Sequence, residues 1–340
     1  MLRFVVRRLA LVVPVLFGLA VLLFAWLRAL PGEPARAMLG QRATDAGIAQ
    51  INEQYGFDQP LIQQFFTYLG QLVTGNFGSS TRTGEPVLDS FLLRFPATVE
   101  LSLAALAFAI VIGIPLGYYA ARHAGGILDT FAVGGSLLGV CIPVFFLAYL
   151  LKLVFAVGVA PFEFLGVLPT SGRQSATIDA THITNFYVLD GLLTRELDAA
   201  LDAGLHLLLP ALALGTIPLA IIVRITRAAV LDVVGEDYVR TAEAKGLSRS
   251  LIRRRHVLRN AMLPVATTIG LQAGLLFSGA VLTETVFAFN GIGSYLFQAI
   301  GQLDYAVLQG YILFIAVTYA LINLLVDISY GLIDPRVRVS

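Results

Sequence analysis

The stretch from Asp237 to Pro264 reads DYVRTAEAKGLSRSLIRRRHVLRNAMLP and concentrates charge in a chain that otherwise has little. Asp237 stands where a helix cap belongs, and the interior that follows offers Tyr238, Ala242 and Ala244. Gly246 is placed to end that helix, because the residue after a helix commonly turns left-handed and glycine does so at least cost. A second helix then carries Arg249, Arg253, Arg254, Arg255 and Arg259. Small residues on a short charged helix suit seating in a groove of another protein, whereas the arginines equally suit anionic lipid headgroups. The residues of the loop alone leave both readings open. Elsewhere reactive groups are sparse. His123, His182, His206 and His256 form no H-E-x-x-H, and no apolar run joins a serine to a histidine or pairs two aspartates in a recognisable motif. There is no G-x-x-x-x-G-K-[ST] phosphate loop, and the only lysines are Lys152 and Lys245, so any ATP chemistry has to come from another chain. No residue is assigned to catalysis or to a metal.

The elements that must position this loop are membrane helices. Of 340 residues 57% are hydrophobic and 13% charged, with a mean hydropathy of +0.80. Soluble domains carry about a quarter charged residues, and one this apolar would expose patches that soluble proteins rarely tolerate. The net charge of +1 removes the basic excess that nucleic-acid binding needs. The single cysteine, Cys141, cannot form an intrachain disulfide. A helical span takes about 20 mainly apolar residues. Six segments qualify: 9–30, 98–121, 130–157, 205–223, 263–289 and 305–332, the fourth being the shortest. Arg3, Arg7 and Arg8 precede the first span, which is too long for a signal-peptide core and lacks a cleavage site. The N-terminus, the Arg122 turn, the 224–259 loop and the tail together hold 15 of the 23 Lys and Arg. The positive-inside rule therefore puts both termini and the arginine-rich loop in the cytoplasm.

Two outer segments are long enough to fold. In the first, Leu61, Ile62, Phe65, Phe66, Leu69 and Leu72 have helical spacing behind Asp58 as a candidate cap, and Gly75, Gly78, Gly84 and Pro86 mark turns. In the second, a polar stretch 177–185 precedes a short surface helix over 190–202. Arg82, Glu85 and Arg173 in these segments are candidate contacts for an external partner protein, with a solvated loop face as their plainer role. Within the spans Gln272 and Ser278 are candidate pore-lining residues, with helix–helix hydrogen bonding as the simpler alternative. Glu284 reads as a solvated or capping residue near the outer end, Asp327 as a partner for the inner arginines, and Lys152 as a side chain reaching the outer headgroups. His206 reads as an interfacial polar residue. The Gly113/Gly117, Gly135/Gly139 and Gly270/Gly274 pairs permit close helix approach.

The charged loop resembles the EAA-type coupling loop of ABC importer permeases, in the longer-spaced form of the dipeptide, oligopeptide and nickel branch. Other stretches carry the same resemblance in order: PGEPARAMLG at 31–40, YGFDQPLIQQF at 55–65, GNFGSSTRTGEPV at 75–87, FPATVELSLAA at 95–105, ETVFAFNGIGSYLFQAI at 284–300 and YGLIDPRVR at 330–338. The external first loop is similar to that of the B-type rather than the C-type subunit. The chain departs from the family at Arg240-Thr241-Ala242, where the glutamate of the triplet is missing. It also has Asn290 and the Asp304-Tyr305-Ala306 turn where relatives often carry proline.

The resemblance implies an all-α membrane protein of six transmembrane helices in the type I importer fold. Its divisions would be an N-terminal tail and first helix (1–30), an extracytoplasmic segment (31–96), a core permease domain (97–334) holding the coupling loop 224–262, and a tail (335–340). It implies a pore shared with a C-type subunit, two cytoplasmic ATPase subunits binding ATP and Mg, an extracytoplasmic substrate-binding protein, and no cofactor in this chain. ATPase closure would draw the coupling helices together and turn the pore outward. Asp237, Tyr238, Ala242, Lys245 and Gly246 would carry that coupling, and dipeptides or short oligopeptides would be the cargo. Nickel chelates, haem and short saccharides are carried by similar systems. The bacterial cytoplasmic, or inner, membrane is the expected location. The rival class is an ion-gradient carrier or channel, which usually keeps charged groups near the bilayer midplane; here charges gather at span ends.

Overall fold

The computed structural model describes residues 2–29, 35–36 and 43–333. Described residues are overwhelmingly helical, and the only pairing of extended backbone among them is the bridge between Ser79 and Pro86. In order these are α1 (Leu2–Ala29), α2 (Asp45–Tyr55), α3 (Leu61–Val73), α4 (Val87–Arg122), α5 (Ile127–Cys141) and α6 (Val144–Lys152). Then follow α7 (Tyr187–Leu193), α8 (Leu197–Val234), α9 (Asp237–Ala244), α10 (Arg249–Leu251), α11 (Arg259–Val286), α12 (Ile292–Gln302) and α13 (Tyr305–Ile333). The chain divides into two compact units, one of residues 96–293 with 322 onward, the other of 2–95 with 294–321.

Four stretches of helix are long and apolar enough to cross a membrane, and a bent pair brings the number to five among the described residues. That pair is the segment 130–157 read as one span, and it is bent: α5 and the helix from Val144 meet at 100°. Pro143 is the cause. It lacks the N–H that would continue the ladder and drives Ile142 out of the helical region. The apolar run of α1, Ala10–Trp26, is shorter than the other spans. The segment expected to be the shortest span, 205–223, instead lies inside α8, 38 residues long and therefore about 57 Å at 1.5 Å per residue. Charges flanking the apolar run do not stop this helix, because they find partners: Asp202 accepts from Ser175 N and Oγ, both at 2.7 Å. At the other end Arg227 Nη2 donates to Asp129 at 2.7 Å.

In the larger unit α8 is the hub and packs against α5, α6, α7 and α11. Helices in lipid gain little from burying apolar surface and associate through close packing and hydrogen bonds, which favours small residues at their contacts. α4 and α8 meet this way. A Cβ at Gly117 would stand 2.6 Å from the Val223 carbonyl oxygen, and one at Gly215 2.8 Å from that of Ala105. Gly135, by contrast, faces open space. Alanines and leucines 97, 101, 105, 207, 211, 214, 276 and 280 with Phe289 form the central cluster.

In the smaller unit Ala20, Leu23 and Phe24 of α1 pack on Tyr68 of α3 and on Leu313. α3 starts behind Pro60 without a side-chain cap, so Asp58 is not the cap that its position suggested. The cap that does form here is on α2, where Thr44 Oγ1 accepts from Gly47 N at 3.2 Å. Ser80 donates to the buried Asp304 at 2.6 Å, and Ser90 bonds Tyr311 at 3.0 Å.

Candidate functional site

The charged loop folds as two short helices held against the ends of α4, α8 and α11. Glu236, not Asp237, occupies the cap position of α9 and offers no side-chain cap; Asp237 sits in the first turn, where a carboxylate complements the helix dipole. Val239 and Ala242 turn inward at 3% and 5% exposure and join Ala121, Ala229, Val230, Ile252, Val257 and Ala261 in one cluster. The outer face is solvent: Asp237, Arg240, Thr241, Glu243, Ala244 and Lys245 are exposed. Tyr238 straddles the two, its hydroxyl accepting from Asn260 Nδ2 at 2.9 Å and so tying α9 to α11.

The turn after α9 is built on Gly246. Its φ is +75°, and the amides of Gly246 and Leu247 donate to Glu243 and Ala242 carbonyls at 2.9 and 3.3 Å. This is the paired Schellman closure of a helix end. Nothing lies within 4 Å of where a Cβ would stand, so the requirement for glycine there is conformational, not steric. Ser248 Oγ then accepts from Leu251 N at 3.4 Å to open α10. A wide π-helical stretch, Ile252–Leu258, buries Ile252 and Val257 while leaving Arg254 and Arg255 in solvent.

Of the named loop residues, Asp237, Tyr238, Lys245 and Gly246 are therefore exposed, and Ala242 is an inward anchor. Gln272 lies on α11 at 7% exposure. The side chains of Ser278 and Asp327 are outside the described residues, as is most of the 31–40 stretch.

Polar residues near the opposite ends of these helices differ more from the sequence reading. Glu284 is not solvated: it is 0% exposed and accepts from Thr98 Oγ1 at 2.5 Å. The same hydroxyl accepts from Ile292 N at 3.0 Å, so one threonine links α4, the end of α11 and the start of α12. Gly291 must lack a side chain, since its Cβ would stand 2.5 Å from the Glu284 carboxylate. Asn290 has φ +35°, a backbone that proline cannot adopt, which accounts for the asparagine at that position.

Arg173 is likewise no solvated loop residue. Its Nη2 donates to Glu100 at 2.9 Å and to the Asn185 carbonyl at 2.6 Å, and its guanidinium stacks 3.7 Å from the Tyr187 ring centroid. Glu100 also accepts from Val188 N at 2.9 Å. The surface helix expected over 190–202 is two elements, α7 and the start of α8, with Asp190, in the first turn of α7, fully buried. Burial raises the Asp190 carboxyl, but hydrogen bonds from Thr184 Oγ1 and from the amides of Thr184, Ile183 and Asn185 outweigh it and hold the group below its ordinary value. Lys152 donates to the Val286 carbonyl at 2.9 Å instead of reaching headgroups. Buried His206 bonds the Asp202 carbonyl through Nδ1 at 2.9 Å. Glu100 lies 73 residues from Arg173 and Glu284 186 residues from Thr98, and no local spacing announces either pair.

Two family models match, the binding-protein-dependent transport system inner membrane component over residues 113–339 and its N-terminal companion over 1–102. The chain belongs to this family. It is the permease subunit of an ABC importer of the inner membrane, a transport component and not an enzyme. Among its relatives is the di/tripeptide transport system permease protein DppB of Pseudomonas aeruginosa (strain UCBPP-PA14), 47% identical over 99% of both chains. The dipeptide transport system permease protein DppB of Escherichia coli K12 is 43% identical over 99% of both. The glutathione transport system permease protein GsiC of Escherichia coli O1:K1 is 36% identical, again over 99% of both. The fold is similar to that of a chain in inward-facing crystals of the MetNI methionine ABC transporter, with a TM-score of 0.51 at 17% identity over 72% of this chain and 96% of that one.

Proposed function

We propose that this permease imports dipeptides or short oligopeptides as half of a transmembrane pore, the other half being a C-type permease subunit. Six spans, counting α1 and the bent α5–α6 pair, put both termini and the α9 loop in the cytoplasm, in keeping with the clustering of arginine there. Two ATPase subunits, carrying ATP and Mg, dock on α9, and a substrate-binding protein docks on the opposite side. The observation that carries this reading is the two-faced α9: Val239 and Ala242 anchor it to the bundle while none of the described residues covers its charged outer face. A push on that face reaches α4, α8 and α11 directly through the shared cluster. Tyr238, through Asn260, adds a polar link to α11, and Gly246 sets the angle at which the chain leaves α9. Gln272 and Ser278 on α11 remain the proposed polar contacts along the pore.

The test is purification of the tagged chain from its own membranes in mild detergent, followed by reconstitution of what accompanies it. A second permease and ATPases should co-purify, and the reconstituted assembly should import a labelled dipeptide only with ATP and the binding protein. A stable homo-oligomer without an ATPase, importing on an ion gradient alone, would overturn the proposal.

A further inference from the structure

In the smaller unit α3 keeps an apolar strip that the fold does not use. Phe65, Tyr68, Leu69 and Leu72 turn toward α1 and Leu313, but Ile62, Phe66 and Val73 are 74%, 66% and 88% exposed. At 100° per residue these three fall within about 40° of one another. Gln64, Thr67 and Gln71 lie roughly 120–180° further round the helix. There they line a cavity of about 120 Å³ together with Arg28. The packed face of α3 is thus flanked by an apolar strip on one side and a polar one on the other.

The neighbours of α3 set its depth. The Phe65 ring centroid is 6.2 Å from that of Phe17 and 5.2 Å from that of Phe24. The apolar run of α1 covers Ala10–Trp26, so Phe24 and Phe17 lie about 3 and 14 Å inside its end at 1.5 Å per residue. Trp26 is of the type that gathers where hydrocarbon meets headgroups. On its other side α3 meets Leu313, about 12 Å into the span that begins at Tyr305. A helix packed on both spans at these levels is level with hydrocarbon, not in the water beyond it.

The sequence of the segment agrees. No Asp, Glu, Lys or Arg occurs from 59 to 81, and charged side chains are the ones hydrocarbon excludes most strongly. Arg28 fixes which flank faces which way. It stands two residues past Trp26, and its Nε donates to Gln64 Oε1 at 2.8 Å. An arginine at a span end keeps its head toward headgroups and water. The Gln64 flank therefore faces out of the bilayer, and the Ile62, Phe66 and Val73 flank faces into it.

We propose that α3 is sunk in the leaflet through which the end of α1 emerges, with Ile62, Phe66 and Val73 against phospholipid acyl chains and Thr67 and Gln71 on the aqueous side. Amphipathic helices settle in the surface layer of a bilayer in this way. The strip stays bare within the fold because lipid covers it. The segment 31–96 is then not wholly extracytoplasmic, since its α3 belongs to the membrane.

Two measurements on the assembly in native membranes test this. In the first, phospholipid carrying a diazirine midway along an acyl chain is incorporated and photolysed, and adducts on this chain are mapped by mass spectrometry. They should fall on Ile62, Phe66 and Val73 in preference to Thr67 and Gln71. In the second, Phe66→Cys and Thr67→Cys, each in a Cys141→Ser background, meet a water-soluble maleimide on membrane fragments open on both sides. The reaction needs a thiolate, which hydrocarbon disfavours, so Phe66→Cys should label at least about tenfold more slowly than Thr67→Cys. Equal rates would overturn the proposal. So would the absence of any lipid adduct from 61 to 73, even with Phe66→Cys protected, for then another protein chain covers the strip. The photolabelling needs no substitution, so it decides the matter even if a cysteine variant fails to fold.

Discussion

Residues 171–202 and 235–261 are both polar segments joining helices of the same unit, yet their charges are used in opposite ways. In the first, Arg173, Asp190, Glu196 and Asp202 each engage a backbone or side-chain partner inside the segment or on its supporting helices, Glu100 of α4 among them. In the second, only apolar groups and Tyr238 face the bundle, and the charges stand in water. Arg240 and Asp237 there are 72% and 97% exposed and 3.6 Å apart, which is a surface pair of little energetic weight. The difference teaches that charge density alone does not mark a docking surface. Charge that the fold leaves unused, on an element the fold nonetheless holds firmly, does.

Breaking the first region should cost the most stability. Arg173→Ala leaves Glu100 buried without its cation, and removing one member of such a pair costs about 3–5 kcal/mol; the side chains are only 9% and 10% exposed. Thermal unfolding in detergent should show a large fall in midpoint and membrane yield should drop. Breaking the second region should instead cost function. Gly246→Val forces a β-branched residue to φ +75°, a strain of about 2 kcal/mol that should relax by re-aiming the turn. ATP hydrolysis should then persist without uptake in the reconstituted assembly, and unchanged uptake would refute the coupling role proposed for this turn.

Acid should separate the regions further. Glu196 is held below its ordinary value by the Thr181 amide and then the Thr181 hydroxyl, and Asp190 is depressed as described. Their stabilisation is fully present above the ordinary carboxylate range, about pH 4, and is lost as pH falls through the depressed values. Hydrogen exchange over 181–196 should rise below about pH 4, with a smaller rise in Asp190→Asn, whose side chain has no proton to gain. The smallest effect belongs to Arg240→Ala, which should change stability by no more than about 0.5 kcal/mol, while weakening ATPase co-purification.

Much of this contrast was legible in the residues and part was not. The α9 helix and the turn at Gly246 follow from local rules, as do most of the apolar helices. The inward turn of Val239 depends on what α4, α8 and α11 present, and the cap position falls on Glu236, which makes no side-chain cap, because Asp237 is already helical. Pro143 could have been read as a break, since proline interrupts a helix wherever no other group replaces its hydrogen bond. Pro210 and Pro218 stand inside α8 all the same, so proline alone does not decide. The solvated readings of Glu284 and Arg173 fail for one reason: each looks solvated among its sequence neighbours, and a residue far along the chain, Thr98 or Glu100, supplies a largely buried partner.

Site-directed cross-linking tests the contrast most directly. Cys141 is the single cysteine, so Cys141→Ser gives a cysteine-free background in one change. Ala244→Cys on the exposed face of α9 and Asp179→Cys on the exposed part of the other segment are then treated with a bifunctional reagent in native membranes, and the adducts are identified by mass spectrometry. Docking through α9 predicts a nucleotide-binding ATPase attached at position 244 and absent at 179. An ATPase adduct at 179, or none at 244 in membranes that still import, would contradict it.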